Sequence, residues 1–562
     1  MNYAFGPRIE PGGVRFRLWA PSAQIIDVEV EGVGITPMSS ALDGWKQAFI
    51  TCRPGARYRF RAGDIVFADP ASRRQAGGVH GWSVVSAPAA RDGWRGRSWE
   101  QVVLYECHPG LMGGFAGIAE KLPELRDIGI TAVELMPVAA FPGTHNWGYD
   151  GVLPFAPAES YGTPEALRAM IGAAHALGMM VFLDVVYNHF GPDGNYLPLY
   201  AKPFFRTDTP TPWGAAIDFR VPQVQQFFGE NARYWLFEFG FDGLRFDAAH
   251  AIRDEGWLDR LAAELRAGAG ERHIHLVLEN ENNAASHLRH GFDAQWNDDI
   301  HHALHVLLTG ESAGYYQDFA DHPAARLARA LAEGFIYQGE TSANRKGAPR
   351  GEPSADLPPS AFVAFLQNHD QIGNRPLGKR LTTLADSRAL KAAMTLLLLS
   401  PQIPMLFMGE EIGSRAPFLY FTDHSPELAK AVREGRRKEF AAFAATHGEI
   451  PDPNDPATFA ASDPERDAPE WNEWLALVQQ LLALRRKRIT PCIRGAKSVG
   501  AEACGEKAVK ARWTLGDGGM LTLAVNFGTG AIATALPRAK PVWGAAAEQT
   551  IPAMSALCWI EA

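Results

Sequence analysis

The stretch Val181-Phe182-Leu183-Asp184-Val185-Val186 runs directly into Tyr187-Asn188-His189. It is apolar except at Asp184, which predicts a strand buried on both faces, as in a parallel sheet. The preceding helix is marked at both ends: Pro164 opens it, and Gly178 follows its last residue, Leu177. A helix that feeds a buried strand is half of a βαβ unit. The polar residues at the strand's C-terminal end are where such units carry chemistry.

The same alternation extends both ways. Upstream, Val102-Val103-Leu104-Tyr105 reads as a buried strand, Ile118 to Ile128 as a helix and Thr131 to Met136 as a strand. Downstream come a helix at Val224 to Phe239, a strand at Gly243 to Ala248, a helix at Trp257 to Ala267 and a strand at His275 to Leu278. Phe362 to Leu366 and Met405 to Met408 are later strands, with a helix at Ser387 to Leu399 between them, and Trp471 to Arg488 is the last helix. Repeated strand–helix units imply a parallel sheet, and about eight of them fit a (β/α)8 TIM barrel with insertions. No GxGxxG follows the first strand, which disfavours a dinucleotide-binding sheet and any nicotinamide or flavin cofactor.

The flanks are different. Val14 to Trp19, Ile26 to Val30 and Tyr58 to Arg61 alternate apolar and polar residues between Gly and Pro punctuation. Lys507 to Thr514, Gly519 to Asn526 and Met554 to Ile560 are short β segments. The predicted fold is therefore α/β: an N-terminal β-sandwich over 1–97, a TIM barrel over 98–488 and a C-terminal β-sandwich domain over 489–562. Trp19, Trp45 and Trp82 of the first sandwich could bind glycan or pack its core.

Composition narrows the partners. The 562 residues are 46% hydrophobic and 21% charged, which supports a large core. With 54 Lys+Arg against 63 Asp+Glu the net charge is −9, which argues against nucleic acid and anionic membranes and suits a neutral small molecule or carbohydrate. The five cysteines form no CxxC pair, so neither a disulfide framework nor a thiolate metal site is expected. Met1-Asn2-Tyr3-Ala4-Phe5-Gly6-Pro7 lacks the basic and apolar segments of a secretory leader. The most apolar stretch, Ala392 to Met408, is broken at Ser400, Pro401, Gln402 and Pro404, too soon to span a bilayer. A reducing cytoplasm is the expectation.

Barrel catalysis sits at the C-terminal ends of strands. Here those ends read Asp184…Asn188-His189, Arg245-Phe246-Asp247, Glu279-Asn280 and Gln367-Asn368-His369-Asp370. Acetal cleavage needs one carboxyl to protonate the leaving oxygen and a second to capture the oxocarbenium-like carbon. A third can hold sugar hydroxyls. Arg245 and Asp247 lie at i and i+2, so they face the same side of one strand, and a fixed guanidinium there favours an ionised nucleophile.

These four segments, in this order, resemble the signature regions of the α-amylase superfamily of glycoside hydrolases. The resemblance implies Asp247 as nucleophile, Glu279 as general acid/base and Asp370 as substrate-holding carboxylate. It implies that His189, His369 and Arg245 line the cleaved sugar's subsite, that Tyr149 in Asn146-Trp147-Gly148-Tyr149-Asp150 stacks on that sugar, and that Trp147, Asn188, Asp184 and Asn368 belong to the same substrate site. Many amylases hold calcium near this point, but no HExxH or EF-hand loop occurs, so no required metal is expected. Asp298-Asp299 and His301-His302 are expected at the surface or in the cleft rather than on a metal.

Further segments resemble one family within the superfamily, the maltooligosyltrehalose trehalohydrolases. They are Glu134 to Val138 with Phe141-Pro142-Gly143, His301 to Glu311, Phe407 to Glu411 with Phe418 to His424, Gly435 to Phe440, and Pro451 to Pro456, together with Trp19-Ala20-Pro21 and Ala68 to Arg73 near the start. The resemblance implies a retaining hydrolase that cuts the α-1,4 bond next to the terminal trehalose of maltooligosyltrehalose, in trehalose biosynthesis from glucans. The loop Cys107 to Phe115, Leu278 and Glu281-Asn282-Asn283 depart from the family in detail. The nearest alternative is a glycogen branching or debranching enzyme. Branching enzymes typically read Ser-His-Asp-Glu where this chain has Asn368-His369-Asp370-Gln371. A catalytically inactive glycan-binding scaffold is the non-enzymatic alternative, and it conflicts with three intact carboxylates.

Overall fold

The computed structural model describes residues 3–87, 93–211, 214–252, 256–441, 443–444, 449–545 and 549–561, with no side-chain account of 209–211. Met1 and Asn2, at the start of the segment read above for a leader, lie outside them. Eight parallel strands close into a barrel: β1 (Leu104–Cys107), β2 (Ala132–Leu135), β3 (Met180–Val185), β4 (Gly243–Phe246), β5 (His275–Leu278), β6 (Ala294–Trp296), β7 (Phe362–Ala364) and β8 (Ile403–Phe407). Ring closure pairs Leu104 with Met405, so no strand edge is left open.

The sequence anticipates seven of these strands; the sixth is the addition. β6 is three residues long, centred on Gln295, and pairs Val277 with Ala294 on one side and Gln295 with Phe362 on the other. So short a segment with a polar centre carries no periodicity. The helices follow their punctuation. α1 spans Gly114–Ile128 and α2 spans Pro164–Ala176. Thr163 caps α2, its hydroxyl accepting from the Ala166 N–H at 3.2 Å. The helix expected at 224–239 divides into α3 (Pro222–Tyr234) and a π-helical turn (Trp235–Phe239) that stops at Gly240, φ 94°.

The lumen is built in layers, because i and i+2 on a strand face the same way. Leu104, Ala132, Phe182, Val277, Ala294 and Val363 belong to an apolar cluster in the barrel. Two residues further along β1 to β4 the inward positions become Glu106, Glu134, Asp184 and Arg245, all buried. That switch from apolar to charged marks the C-terminal end of the barrel as the site.

Ahead of the barrel, two antiparallel sheets form the expected sandwich. Trp19 and Trp45 are buried in it, and Trp82 lies beneath the Arg59 guanidinium, 4.1 Å from the ring centroid. Behind the barrel, Lys497–Gly505, Ala508–Thr514, Met520–Asn526 and Ser555–Glu561 form an antiparallel sheet, with a small second sheet from Ile532–Ala533 and Thr550–Ile551. Lys497–Gly505 was not anticipated, since most of it is exposed or only half-buried and gives no apolar alternation. All five cysteines are free. No helix among the described residues is long and apolar enough to cross a membrane.

Candidate active site

Arg245 on β4 organises the site. Its side chain is fully buried. Its Nη1 donates to Asp184 Oδ2 at 2.5 Å, across the register pair of β3 and β4, and to Asp247 Oδ1 at 2.9 Å. Its Nη2 lies 3.2 Å from Glu279 Oε2, an ion-pair contact whose angle falls short of a hydrogen bond. Behind it the Trp296 ring takes the guanidinium on its face at 4.1 Å. Three carboxyls from the ends of three strands thus share one cation.

Asp247 has a second donor. Asn188 Nδ2 reaches Asp247 Oδ2 at 2.6 Å and the Asp247 carbonyl at 2.9 Å. Both carboxylate oxygens therefore accept hydrogen bonds, and the group has one orientation. The next residue, Ala248, sits in the left-handed region at φ 38°, ψ 50°. For a residue with a Cβ this conformation costs roughly 1–3 kcal/mol and is typical of functional sites. It aims the Ala248 N–H at Glu279 Oε2, 2.6 Å away.

Glu279 is pushed up to about 8, chiefly by burial, with Asp247, Asp370 and Asp298 adding to the rise and Arg245 opposing it. It therefore keeps its proton at neutral pH. Asp184 is raised to about 6, again by burial against the pull of Arg245. Glu279, raised on the same guanidinium that holds Asp247, is placed as a proton donor requires.

Tyr149 closes one side. Its hydroxyl donates to Asp184 Oδ2 at 2.6 Å, and its ring stacks on His369, centroids 5.1 Å apart and 20° between planes. His189 Nε2 is 2.9 Å from the Tyr149 carbonyl, and its Nδ1 contacts Asn188 Oδ1. Burial holds the His189 imidazole below its ordinary range, so it is neutral. Beginning at that same His369, a short helix, α4 (His369–Gly373), carries Asp370 in its first turn, with that side chain 43% exposed. Asp370 and Glu279 face one cavity of about 260 Å3, with Trp296, Asp298, His302 and Tyr316 also in its lining.

Of the residues expected at the sugar, Trp147 lies behind the cavity, while Asn368 is part of its lining. Trp147 is buried: its indole N–H donates to the Leu419 carbonyl at 2.9 Å and its ring stacks on Phe418. It sets the floor under α4, because a Cβ on Gly373 would fall 2.0 Å from the Trp147 ring. Asn368 is the cap of α4, accepting from the Asp370 N–H at 2.9 Å while Gln371 Oε1 accepts from the Asn368 N–H at 2.9 Å. The surface-or-cleft expectation for the acid and histidine pairs needs correction. Asp298 and His302 line the cavity, whereas Asp299 and His301 are buried. Asp299 Oδ2 accepts from the Ile336 N–H at 2.8 Å and the Asn283 amide at 2.9 Å, and His301 Nδ1 contacts the Leu366 carbonyl at 2.5 Å.

Sequence reasoning missed Glu106, Glu134 and Trp296. The first two are acids inside otherwise apolar strands, and that incongruity was the available signal. Trp296 lies on the three-residue strand that gave none.

Comparison with known proteins agrees with this geometry. Residues 78–201 match the family model for the alpha amylase catalytic domain, and residues 496–558 match a domain of unknown function, DUF3459. A malto-oligosyltrehalose trehalohydrolase of Deinococcus radiodurans is 41% identical, over 85% of this chain and 82% of that protein. One of Saccharolobus solfataricus is 38% identical, over 87% and 88%. The crystal structure of an alpha-amylase-like protein of Salmonella typhimurium superposes with a TM-score of 0.94 at 42% identity, covering 100% of both chains. With the barrel, the Arg245-centred carboxyls and relatives this similar over most of their length, the chain belongs to the malto-oligosyltrehalose trehalohydrolase family.

Proposed function

We propose that this protein is a retaining glycosidase that cleaves the α-1,4 bond adjacent to the terminal trehalose of maltooligosyltrehalose, releasing trehalose and a shortened maltooligosaccharide. The observation that carries the chemistry is the single guanidinium shared by Asp247 and Glu279, of which Glu279 keeps its proton at neutral pH. The trehalose specificity rests on the names of the similar proteins.

In the first step Glu279 gives its proton to the glycosidic oxygen as that C–O bond breaks, and Asp247 attacks the anomeric carbon. The trehalose portion leaves, and the remaining sugar chain is held on Asp247 as an ester. Glu279, now ionised, takes a proton from water. The hydroxide formed attacks the same carbon, releasing Asp247 and restoring Glu279. Asp370 binds hydroxyls of the sugar being cleaved. Tyr149, His189, His369 and Arg245 line its subsite; Asp184, Asn188, Asn368 and Trp147 belong to the substrate site by fixing those groups. No step draws on a cofactor.

The chain divides at about residues 97 and 488 into sandwich, catalytic barrel and C-terminal β domain. Its place is a reducing cytoplasm, in trehalose formation from α-glucans, and its five unpaired thiols support that setting. The test is a product assay on maltooligosyltrehalose and on a plain maltooligosaccharide of equal length. Free trehalose from the first, with little cleavage of the second, is the expected result. Equal cleavage of both, or new α-1,6 branches on amylose, would move the enzyme elsewhere in the superfamily.

A further inference from the structure

Glu106 lies on β1, in the same charged layer as Glu134, Asp184 and Arg245, and the mechanism above does not use it. It is 1% exposed. One carboxylate oxygen contacts His369 Nδ1, and the other accepts from the His369 backbone N–H at 3.3 Å. The imidazole is thus gripped by side chain and main chain from a single residue 263 positions away in sequence. Its remaining nitrogen, Nε2, points toward the cleft, 3.5 Å from Asp370 Oδ1.

The ring has no other orientation open to it. Tyr149 stacks on one face, and Trp147 and Trp296 meet it edge-on at 5.6 Å and 6.2 Å between centroids. We propose that Glu106 is a positioning residue for this reaction, holding the His369 imidazolium from behind so that Nε2 presents a fixed, charged N–H to the sugar beside Asp370. This rests on the cleft assignment given above.

The groups facing His369 come from every neighbouring element. Glu106 approaches from β1, Glu134 from β2, Arg245 from β4 and Asp370 from α4 itself, with His108 following β1 and Tyr149 in the loop between β2 and α2. Burial works against charge on the ring and Arg245 repels it, but Asp370 and Glu106 prevail and raise His369 to about 9. Glu134 is buried with neither oxygen hydrogen-bonded. Burial, with Glu106 and Asp184 beside it, holds its carboxyl well above the usual range. That rise disfavours a second carboxylate competing for the imidazolium. His108 is held at about 4 by burial and stays neutral.

The experiment combines histidine NMR with kinetics on the full-length enzyme. In 13C-histidine-labelled protein, the His369 signal is assigned by its absence in His369→Gln, then titrated in wild type, Glu106→Gln and Glu106→Asp. His369 in the wild type is expected to stay protonated past pH 8, and Glu106→Gln is expected to lower its midpoint by more than about one pH unit. A wild-type midpoint at or below the ordinary 6.5 overturns the proposal even if no variant folds. An unmoved midpoint in a folded Glu106→Gln overturns it as well.

In the kinetic arm, kcat/KM of Glu106→Gln on maltooligosyltrehalose is expected to fall roughly 10- to 100-fold at neutral pH. The deficit should narrow as pH falls and His369 regains its proton unaided, and Glu106→Asp should recover most of the rate. A deficit identical at every pH would mean that Glu106 only props up the strand, and would overturn the proposal. A wild type that does not cleave the substrate would defeat the functional reading instead, and the NMR titration would still decide the role of Glu106.

Discussion

Arg245 Nη1 donates to Asp247 Oδ1 at 2.9 Å from two residues back on the same strand. The contact exists because side chains at i and i+2 share a face, and it is not adjustable because the guanidinium is also held by Asp184 and packed on Trp296. Lysine offers one point charge where arginine offers a planar fork. Arg245→Lys should therefore leave Asp184, Asp247 and Glu279 misaligned and cut kcat by about 10²-fold or more. Arg245→Leu, which strands the buried Asp184 carboxyl and removes the cation shared with the half-buried Asp247 and Glu279, should cost about 3–5 kcal/mol of stability. Steady-state kinetics and urea denaturation check the two; near-normal stability of the leucine variant would contradict the buried network.

Asp247→Asn keeps the side chain's size and one of its two acceptors but removes the proposed nucleophile, and Glu279→Gln keeps an acceptor for the Ala248 N–H but removes the transferable proton. Each should lower turnover by at least about 10²–10⁴-fold. Both variants should still bind substrate, measured by calorimetry. Near-normal turnover by either would defeat the site assignment.

The raised Glu279 has a consequence for stability. Its ordinary value is 4.5 and its folded value is about 8. Between those pH values the unfolded chain releases this proton while the folded protein retains it. The unfolded state thus binds fewer protons, and stability falls as pH rises through that window. Glutamine cannot ionise, so Glu279→Gln escapes this loss. The melting temperature of Glu279→Gln minus that of wild type should grow from pH 5 to pH 8 and level off above it. A difference that does not change with pH would show that Glu279 is not held protonated.

The barrel was legible because its strands are mostly apolar and run into polar ends, and because Pro164 and Gly178 punctuate α2 so plainly. The acids at those ends were legible for the same reason: Asp247 and Glu279 each close an apolar strand. What the sequence does not reveal is depth. Trp147 and Asn368 lie beside candidate site residues in sequence, yet Trp147 is a buried floor held by Leu419, and Asn368 lines the cavity as a helix cap held by Gln371. Glu106 and Glu134 were hidden in the other direction. An acid inside an apolar strand is a visible incongruity, but its role is readable only when its partner is known, and His369 lies 263 positions from Glu106 in sequence. Lys497–Gly505 and β6 escaped because neither has an apolar rhythm.

No step of the chemistry calls for a metal, and the oxygens of Asp247 are already engaged by Arg245 and Asn188. Trehalose release should therefore survive dialysis against EDTA within about twofold. Loss of activity restored by calcium would reverse that expectation.

The stereochemical outcome follows from how close the two carboxyls are held. An inverting enzyme needs room for a water between acid and base, about 6.5–9.5 Å, while a retaining one holds them about 5–5.5 Å apart. Here Asp247 and Glu279 are drawn toward the two terminal nitrogens of one guanidinium, at 2.9 Å and 3.2 Å. That bridge favours the close geometry, in which Asp247 attacks the sugar directly and two inversions give net retention. The new reducing end should appear first as the α anomer and only later equilibrate with β. Proton NMR of the anomeric region during the first minutes of hydrolysis reads this directly. A β anomer appearing first would show that water, rather than Asp247, reaches the anomeric carbon, and the nucleophile assignment would have to be abandoned.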